Sequence, residues 1–320
     1  MIRLAFFSMT LAVIIPAYNE AANIRPLFQS LERVLAGEKM DWHVLFVDDG
    51  STDGTLEAIE ALGRESSRVR FLSLSRNFGQ EGALAAGMDH AQADAVITMD
   101  ADMQHPPRLI PKLITQYEAG SDVVYTSREE ADELGVFRKI SGTFFYRLVN
   151  LISDVPIQRN ASDFRLISRR VAQLLQTRVR ERTMFLRGIV SWVGFRQSKV
   201  AFKADNRFAG SSKYTFSRNL QFALAGIISF SRKPLRAATL IGALVALFGF
   251  VFAVYTVIEY FYGVALAPGW ASLIVLVSIF GGLQLFFLGV IGEYIGGIFE
   301  EVKGRPHYIV EDSVNVQVSR

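Results

Sequence analysis

Two aspartates and a glutamine stand at alternate positions in TMDADMQHP, residues 98–106. In an extended segment alternate side chains point the same way, so Asp100, Asp102 and Gln104 can share one face. Three oxygen donors suit a hard divalent cation such as Mg²⁺ or Mn²⁺, which often bridges to substrate phosphates. A solvated turn with an aspartate cap before Pro106 is the alternative. The apolar run just before the stretch favours a metal site, because it predicts a buried strand that delivers the carboxylates.

Three more polar clusters follow apolar runs in the same way. They are PAYNE at residues 16–20, DDGS at 48–51 and RNFGQ at 76–80. Gly50 permits a tight turn, and Asp53 is placed to cap the next helix. That turn does not require Asp48 and Asp49 side by side, so one of these carboxylates is available to a base or a ribose. Asn19 is placed to cap the helix that follows the first cluster.

Residues 10–130 alternate short apolar runs with segments of helical periodicity. The runs LAVII, HVLFV, VRFLSL, AVITM and DVVYT are nearly continuous in apolar residues, which is typical of parallel strands covered on both faces. The sequence therefore predicts a doubly wound α/β sheet. Ligands of such sheets bind beyond the carboxyl ends of the strands, where the four polar clusters stand.

Two long stretches near the end of the chain, residues 237–258 and 260–292, contain no charged residue. Each is long enough to cross a hydrocarbon core of about 30 Å as a helix. Pro268 and Gly269 favour a break near the start of the second stretch, so a hairpin of two membrane helices joined near residues 262–269 is expected. Two buried helices of a soluble core are the alternative, although core helices rarely stay uncharged over such a length.

Basic residues indicate the orientation of this hairpin. They lie before the first stretch and after the second, at Arg232, Lys233, Arg236, Lys303 and Arg305, whereas the short connection has no Lys or Arg. By the positive-inside rule, residues 1–236 and the tail are expected in the cytoplasm. The start MIRLAFFSMTLAVII resembles a signal peptide, but it lacks a small-x-small cleavage site. A first strand at residues 11–15 is the preferred interpretation.

Composition limits the kinds of site and partner that the protein can have. The 320 residues include no cysteine, which excludes disulfides and thiolate metal sites. The formal net charge of +3 suits an anionic membrane surface and does not favour nucleic acid as a partner. Residues 135–155 and 214–230 each combine an apolar face with basic residues. Both can lie in the bilayer interface or pack against the sheet.

The motifs IPAYNE, VDDGSTDGT, SRNFGQ, DADMQHPP, SDFR and FAGSSKY occur in this order, followed by the predicted hairpin. This series resembles the family-2, GT-A-fold polyprenyl-phosphate glycosyltransferases over nearly the whole chain. Among them it is most similar to the bacterial undecaprenyl-phosphate glucosyltransferases, with dolichyl-phosphate mannose synthases as cousins. The Q-x-x-R-W motif of relatives that make cellulose or hyaluronan is absent from the sequence.

The resemblance implies a GT-A, Rossmann-like domain with a mostly parallel sheet, followed by the transmembrane hairpin. It divides the chain into a cytoplasmic catalytic domain at residues 1–212, an interfacial amphipathic helix at 213–234, two transmembrane helices at 235–299 and a cytoplasmic tail at 300–320. The implied location is the cell (inner) membrane, with both termini in the cytoplasm. A homo-oligomer and a flippase partner are left open.

The implied reaction is inverting transfer of a sugar from a UDP-sugar to a polyprenyl phosphate in the lipid bilayer, with Mg²⁺ or Mn²⁺ as cofactor. Glucose is the first expectation, while mannose, N-acetylhexosamine and aminoarabinose stay open. The resemblance assigns the nucleotide to Pro16, Tyr18, Glu20, Asp49 and Asp100, and the metal to Asp100, Asp102 and Gln104. It assigns catalysis to Asp163 and Asp102, and the phosphates to Arg138, Arg165, Arg207, Ser212 and Lys213.

The acceptor affects the role of Asp163. A phosphomonoester has a second pKa of about 6, so it is largely an anionic nucleophile near neutral pH. It needs cations that place it beside the donor more than it needs a general base. Asp163 is therefore expected to act as a base, or to orient a cation or the acceptor. A helix cap ahead of residues 168–176 is the alternative.

Three other functions are open to the same residues. A membrane-anchored nucleotide-sugar-binding protein without catalysis would retain the binding motifs. A phosphatase would use Asp100 as its nucleophile, but Gln104 does not fit that pattern. A small channel would place charges in its spans, where only Glu259 and Glu293 occur, near the ends.

Overall fold

The structure, a computed structural model, describes residues 9–128, 161–181, 186–202, 231–262 and 269–316. It forms two compact units. Of the described residues, the first unit contains 9–128, 161–181, 186–202 and 305–316, and the second contains 231–262 and 269–304.

One eight-stranded sheet forms the first unit. The strands are β1 (Thr10–Ala17), β2 (Asp41–Asp48), β3 (Val69–Leu74), β4 (Ala95–Thr98), β5 (Val123–Arg128), β6 (Ala161–Ser168), β7 (Gln197–Phe202) and β8 (Val310–Val314). Their order across the sheet is β7-β5-β6-β4-β1-β2-β3-β8. Strand β6 is antiparallel to β4 and β5, β8 is antiparallel to β3, and the other pairs are parallel. The predicted mostly parallel α/β sheet is confirmed.

Helices connect most of the strands. They are α1 (Ala21–Leu35), α2 (Thr55–Glu65), α3 (Gln80–His90), α4 (Ile110–Glu118), α5 (Arg169–Thr177) and α6 (Leu186–Trp192), with a 3₁₀ turn at Pro107–Leu109. Buried side chains of α1 recur at helical spacing, at Ile24, Leu27, Phe28, Leu31 and Leu35. They pack on one face of the sheet in a single apolar core. Each such side chain contributes about 1.5–3 kcal/mol by leaving water, which holds the helices against the strands.

Helix α3 lies very close to the opposite face of the sheet. A Cβ on Gly87 would come 2.3 Å from Cγ2 of Ile14 and 3.2 Å from Cγ2 of Val47. Only a residue without a side chain allows this approach. The small residues that give α3 its weak apolar pattern therefore have a packing reason, and they keep the start of α3 beside the carboxyl ends of β1 and β2.

Three strands, β6, β7 and β8, were not expected from the sequence. Strand β6 lies between β4 and β5 and is antiparallel to both. Asp163 lies within β6, so the alternative of a helix cap is wrong; Ser168 precedes α5 instead. Strand β8 extends the sheet beyond β3, so part of the predicted tail belongs to the α/β unit.

The second unit contains two long helices, α7 (Lys233–Phe261) and α8 (Trp270–Val302). By length and composition they include candidate membrane spans at Lys233–Thr256 and Val275–Val302, with mean hydropathies of 2.5 and 2.2. In the most apolar part of each candidate span, no residue is buried. Exposed apolar surface of this kind argues against core helices of a soluble protein.

Candidate active site

The predicted polar clusters lie at one edge of the sheet. Strands β1, β2 and β4 are parallel and end at this edge, at Ala17, Asp48 and Thr98. Strand β6 runs the other way, and Arg165 pairs with Thr98. The beginning of β6, with Asp163, therefore lies at the edge where the other strands end.

The loop after β4 is a turn, which corrects the extended segment assumed from the sequence. Met103 has a φ of 64°, in the left-handed region. Asp100, Asp102 and Gln104 are all partly exposed, whereas Ala101 is buried. The three predicted metal ligands thus retain access to solvent.

Hydrogen bonds order this loop from both sides. Nε2 of Gln80 donates to Oδ1 of Asp100 at 2.8 Å. The backbone N–H of Gln104 donates to Oδ1 of Asp102 at 3.1 Å. Sequence reasoning did not identify Gln80, although its position at the start of a helix after a polar cluster was a usable signal.

The loop suits a metal ion shared with a ligand. Among the described residues no group of three or more His, Cys, Asp and Glu side chains could hold a metal ion. The loop offers two carboxylates and one amide, which are hard oxygen donors. Magnesium-type sites often use one or two carboxylates and take their other ligands from phosphate and water. The donor set therefore fits a divalent ion held jointly with a diphosphate.

Asp49 is engaged within the protein. Its Oδ1 and Oδ2 accept the N–H groups of Phe78 and Gly79 at 2.7 and 2.9 Å. Burial raises the pKa of this carboxyl, and the two N–H donors partly offset that shift. Gly50, with a φ of 66°, allows the close approach of the two loops. Asp49 thus fastens the loop at residues 76–79 to the end of β2, in addition to any contact with a nucleotide.

Asp48 is also buried, and burial raises its pKa. Its Oδ2 accepts the N–H of Ser51 at 3.3 Å, whereas Oδ1 has no hydrogen-bond partner within the described part of the chain. The choice between the two aspartates, left open by the sequence, is therefore not decided by accessibility, because both side chains lie below the surface.

Hydrogen bonds join the polar cluster at residues 16–20 to the loop that follows β2. Asp53 accepts hydrogen bonds from the N–H of Thr55 at 3.0 Å and of Ala21 at 3.4 Å, so it serves the first turns of both α2 and α1. Burial opposes the charge, but the bonds from Thr55 hold the pKa of Asp53 below its ordinary value. The prediction for Asn19 is wrong, since α1 begins after Glu20 and Oδ1 of Asn19 accepts the N–H of Thr52 at 2.8 Å.

Three residues of the cluster at residues 16–20 were predicted to contact the nucleotide, and all three reach the surface. Tyr18 is exposed, and Pro16 and Glu20 are partly exposed. Oε2 of Glu20 accepts a hydrogen bond from Nδ2 of Asn23 at 2.5 Å. An aromatic ring and a carboxylate therefore flank the edge of the sheet, where the prediction places a nucleotide.

Asp163 and Arg165 form a buried pair on one face of β6. Asp163 is 6% exposed and Arg165 is 2% exposed. Nη2 of Arg165 donates to Oδ1 of Asp163 at 3.2 Å and to the carbonyl of Ser162 at 3.0 Å. This position favours a role in holding Asp163, rather than the direct phosphate contact that the resemblance implied.

The remaining predicted phosphate ligands lie outside the described residues. They are Arg138, Arg207, Ser212 and Lys213, and the two amphipathic segments at 135–155 and 214–230 lie there as well. The loop after β4, residues 99–105, is called the carboxylate loop. The described part of the site consists of this loop, the clusters after β1 and β2, the start of α3 and the Asp163–Arg165 pair.

The family model described as "Glycosyl transferase family 2" matches residues 12–190, which include every described part of this site. The chain belongs to glycosyl transferase family 2. It is a glycosyltransferase with a GT-A-like α/β fold.

Curated relatives of this family-2 glycosyltransferase extend the match through the long helices. The "Uncharacterized glycosyltransferase YkcC" of Bacillus subtilis (strain 168) is 39% identical over 309 residues, covering 97% of this chain and 95% of the relative. The "SfII prophage-derived bactoprenol glucosyl transferase" of Shigella flexneri is 39% identical over 305 residues, with coverages of 95% and 98%. The "Prophage bactoprenol glucosyl transferase homolog" of Escherichia coli (strain K12) is 37% identical over 303 residues, with coverages of 95% and 99%.

The geometry of this family-2 site suits the cleavage of a bond to a diphosphate. Developing negative charge on a leaving diphosphate would lie beside the carboxylate loop, where a shared cation can neutralise it. The buried Asp163–Arg165 pair lies at the same edge of the sheet, on strand β6, which is antiparallel to β4. The two groups of charges thus lie at the same edge of the sheet.

Proposed function

We propose that this glycosyltransferase transfers a sugar from a UDP-sugar to a polyprenyl phosphate in a membrane, with inversion at the anomeric carbon. The observation that carries the proposal is a carboxylate loop and a buried Asp–Arg pair at one sheet edge, in a chain that also has two candidate spans. Relatives named bactoprenol glucosyl transferase, 37% and 39% identical over nearly the full length, support this acceptor and favour glucose.

In the proposed reaction Asp100, Asp102 and Gln104 hold Mg²⁺ or Mn²⁺ on the donor diphosphate. The ion, when bound, supplies charge neutralisation to the leaving nucleoside diphosphate. Gln80 and the N–H of Gln104 keep the two carboxylates in place before the donor arrives. Such pre-organisation matters because groups that are already oriented need not be reorganised during the reaction.

Asp163 is proposed to orient the acceptor side of the site. A phosphate monoester is already anionic near neutral pH, so removal of a proton contributes little to its attack. Arg165 stabilises the ionised carboxylate of Asp163 through a charge-assisted hydrogen bond. An ionised Asp163 can then hold a cation that meets the acceptor phosphate, and the cations at 138, 207 and 213 are candidates for that role.

The two candidate spans give the acceptor a physical location. A long polyprenyl phosphate stays in the bilayer with its headgroup at the surface, and anchoring the enzyme there raises the effective concentration of the headgroup. Residues on both sides of the helix pair belong to one compact unit, since β8 follows α8 and pairs with β3. This supports a hairpin with the catalytic sheet and the chain end on the same side, which the positive-inside rule assigns to the cytoplasm.

The decisive experiment uses the purified full chain, undecaprenyl phosphate and a panel of labelled nucleotide sugars with Mn²⁺ or Mg²⁺. We expect a lipid-phosphate-linked sugar as product, with UDP-glucose as the best donor, and loss of product when EDTA is present. Transfer to a free sugar or a protein at a similar rate would contradict the proposal. Binding of donor with no transfer to any acceptor would instead support the alternative of a nucleotide-sugar-binding protein.

A further inference from the structure

His105 ends the carboxylate loop and is almost completely buried. It is 4% exposed, stacked on the ring of Phe164 with centroids 5.4 Å apart, and in edge contact with Phe202 at 6.3 Å. An apolar ring could make both contacts. The polar atoms of the imidazole therefore need an explanation of their own.

Both ring nitrogens make hydrogen bonds, to different segments of the chain. Nδ1 lies 3.0 Å from the backbone nitrogen of Asp100, and Nε2 lies 2.6 Å from Oγ of Ser162. A backbone N–H can only donate, so Nδ1 is the acceptor and the proton resides on Nε2, which donates to Ser162. The imidazole thus bridges the first residue of the loop and strand β6.

The segment of β6 that His105 reaches is the one that carries Asp163. Ser162 also accepts the N–H of Phe164 at 3.2 Å, which fixes its hydroxyl on the strand. On the other side of the loop, Oγ1 of Thr98 donates to the carbonyl of Asp163 at 2.5 Å. The loop is therefore attached to the Asp163 segment both where it leaves β4 and where it ends at His105.

We propose that His105 is a positioning residue that fixes the metal-binding loop against the strand of Asp163. Its Nδ1 sets the backbone direction of Asp100, and its Nε2–H sets the distance between the loop and Ser162. This inference rests on the proposed function for the identity of the ligand, but the mechanical link stands on the geometry alone. His105 acts through Asp100 and Ser162 and is neither a metal ligand nor a catalytic residue.

The two hydrogen bonds can be separated by substitution. In H105N the amide oxygen can take the place of Nδ1 and keep the bond from the Asp100 N–H, while the contact with Ser162 is lost. In H105Q the longer side chain can reach Ser162, while the acceptor near Asp100 is lost. H105F keeps the stacking and removes both bonds.

The first measurement is hydrogen exchange of the Asp100 amide in the metal-free full chain. We expect protection in the wild type and in H105N, and faster exchange in H105Q and H105F. The second is Mn²⁺ binding in the presence of UDP, followed by electron paramagnetic resonance. Loss of a supporting partner of a metal site typically weakens metal affinity about 10–100-fold, so we expect a change of this size in H105F and H105Q.

Two control variants define the specificity of the effect. S162A removes the bond from Nε2 of His105 together with the bond from the Phe164 N–H, and it leaves the bond between Nδ1 and the Asp100 N–H in place. We expect it to raise the KM for the donor less than H105F does. A change at His43, a buried histidine of β2 away from the site, tests for a general effect of losing an imidazole. We expect H43N to leave Mn²⁺ affinity and Asp100 exchange unchanged. Thermal unfolding of every variant identifies any that fail to fold.

The outcomes separate this inference from the proposed function. Wild-type exchange and wild-type Mn²⁺ affinity in folded H105Q and H105F would overturn the positioning role, whether or not sugar is transferred to lipid. Equal losses in H43N would overturn it as well. If the variants behave as expected but the wild type transfers no sugar to a lipid phosphate, the inference stands and the proposed function fails.

Discussion

Asp102 and Asp163 stand at the same edge of the sheet in different surroundings. Asp102 is partly exposed in a turn, where it can meet a metal ion and a diphosphate. Asp163 is buried and bound by Arg165. The difference supports the proposed roles, in which Asp102 holds the metal ion on the leaving diphosphate and Asp163 supports the acceptor side.

This difference predicts unequal effects of two isosteric changes. We expect D102N to lower turnover about 100-fold, the upper range for losing a metal-site contact. D163N should lose less, because an anionic phosphate needs little help from a base. Initial rates at saturating donor and acceptor, with folding checked by thermal unfolding, provide the comparison. Equal losses in the two folded variants would show that Asp163 takes part in the chemical step as directly as Asp102.

Gly50 offers a second test at the residue scale. Its φ is 66°, and an added Cβ would lie 2.5 Å from the backbone carbon of Arg76. We expect G50A to destabilise the protein by at least about 1–3 kcal/mol, because both the backbone conformation and the neighbouring loop must change. Gly63, inside α2 with nothing within 4 Å of its added Cβ, is the matched control. G63A should stabilise by about 0.5–1 kcal/mol. Denaturant unfolding would refute this account if both changes had the same sign.

At the scale of elements, the junction between β6 and α5 is held by a buried carboxylate. Asp122 accepts hydrogen bonds from Oγ of Ser168 at 3.2 Å and from the guanidinium of Arg170. The hydrogen bond from Arg170 holds the pKa of Asp122 below its ordinary value. An aspartate with a lowered folded-state pKa stabilises the fold above about pH 4, and that stabilisation is lost as the pH falls through the folded-state value.

We therefore expect D122N to be less stable than the wild type near pH 7, with a difference that narrows on acidification below pH 4. Thermal unfolding at a series of pH values measures this. E57Q, a change at an exposed position of α2, is the control, and we expect its stability difference from the wild type to change less than that of D122N over the same range. A stability difference for D122N that does not change with pH would mean that Asp122 acts by its shape and not by its charge.

Elements whose pattern is local were predictable, and those that depend on distant pairing were not. The apolar runs identified β1 to β5, because strands covered on both faces need them. Helix α3 was recognised although Gly87 and its neighbours give it no apolar stripe. Strand β6 was missed as a strand because its place between β4 and β5 follows from a chain reversal that no local signal encodes. Strand β8 was missed for the same reason, since its partner β3 is more than two hundred residues earlier.

The site shows the same division. The spacing of Asp100, Asp102 and Gln104 predicts a metal site, and this role stays a prediction for a loop that is a turn and not extended. Asp49 holds the loop at Phe78 and Gly79 through hydrogen bonds between segments that are distant in the sequence. Sequence alone therefore could not distinguish this structural role from a role in ligand binding. The role of His105 could not be predicted from the sequence, because its contacts with Asp100 and Ser162 follow only from the placement of β6 beside β4.

At the scale of the whole molecule, the two candidate spans separate parts of the chain that return to one unit. The α/β unit contains residues before α7 and residues after α8. An even number of crossings is therefore required if α7 and α8 span a membrane. By the positive-inside rule, the basic residues at both ends of the helix pair predict that this unit faces the cytoplasm.

The absence of cysteine makes this arrangement directly testable, because any single cysteine introduced into the chain is the only reactive thiol. We choose E57C on α2, E311C on β8 and A265C in the segment between α7 and α8. A membrane-impermeant maleimide applied to intact cells should label only A265C. After the cells are opened, E57C and E311C should also react, since both positions are exposed. Sugar transfer by each variant shows that the enzyme is folded. Labelling of E311C from outside would contradict the hairpin, and labelling of all three positions only after lysis would indicate that the helices do not cross the membrane.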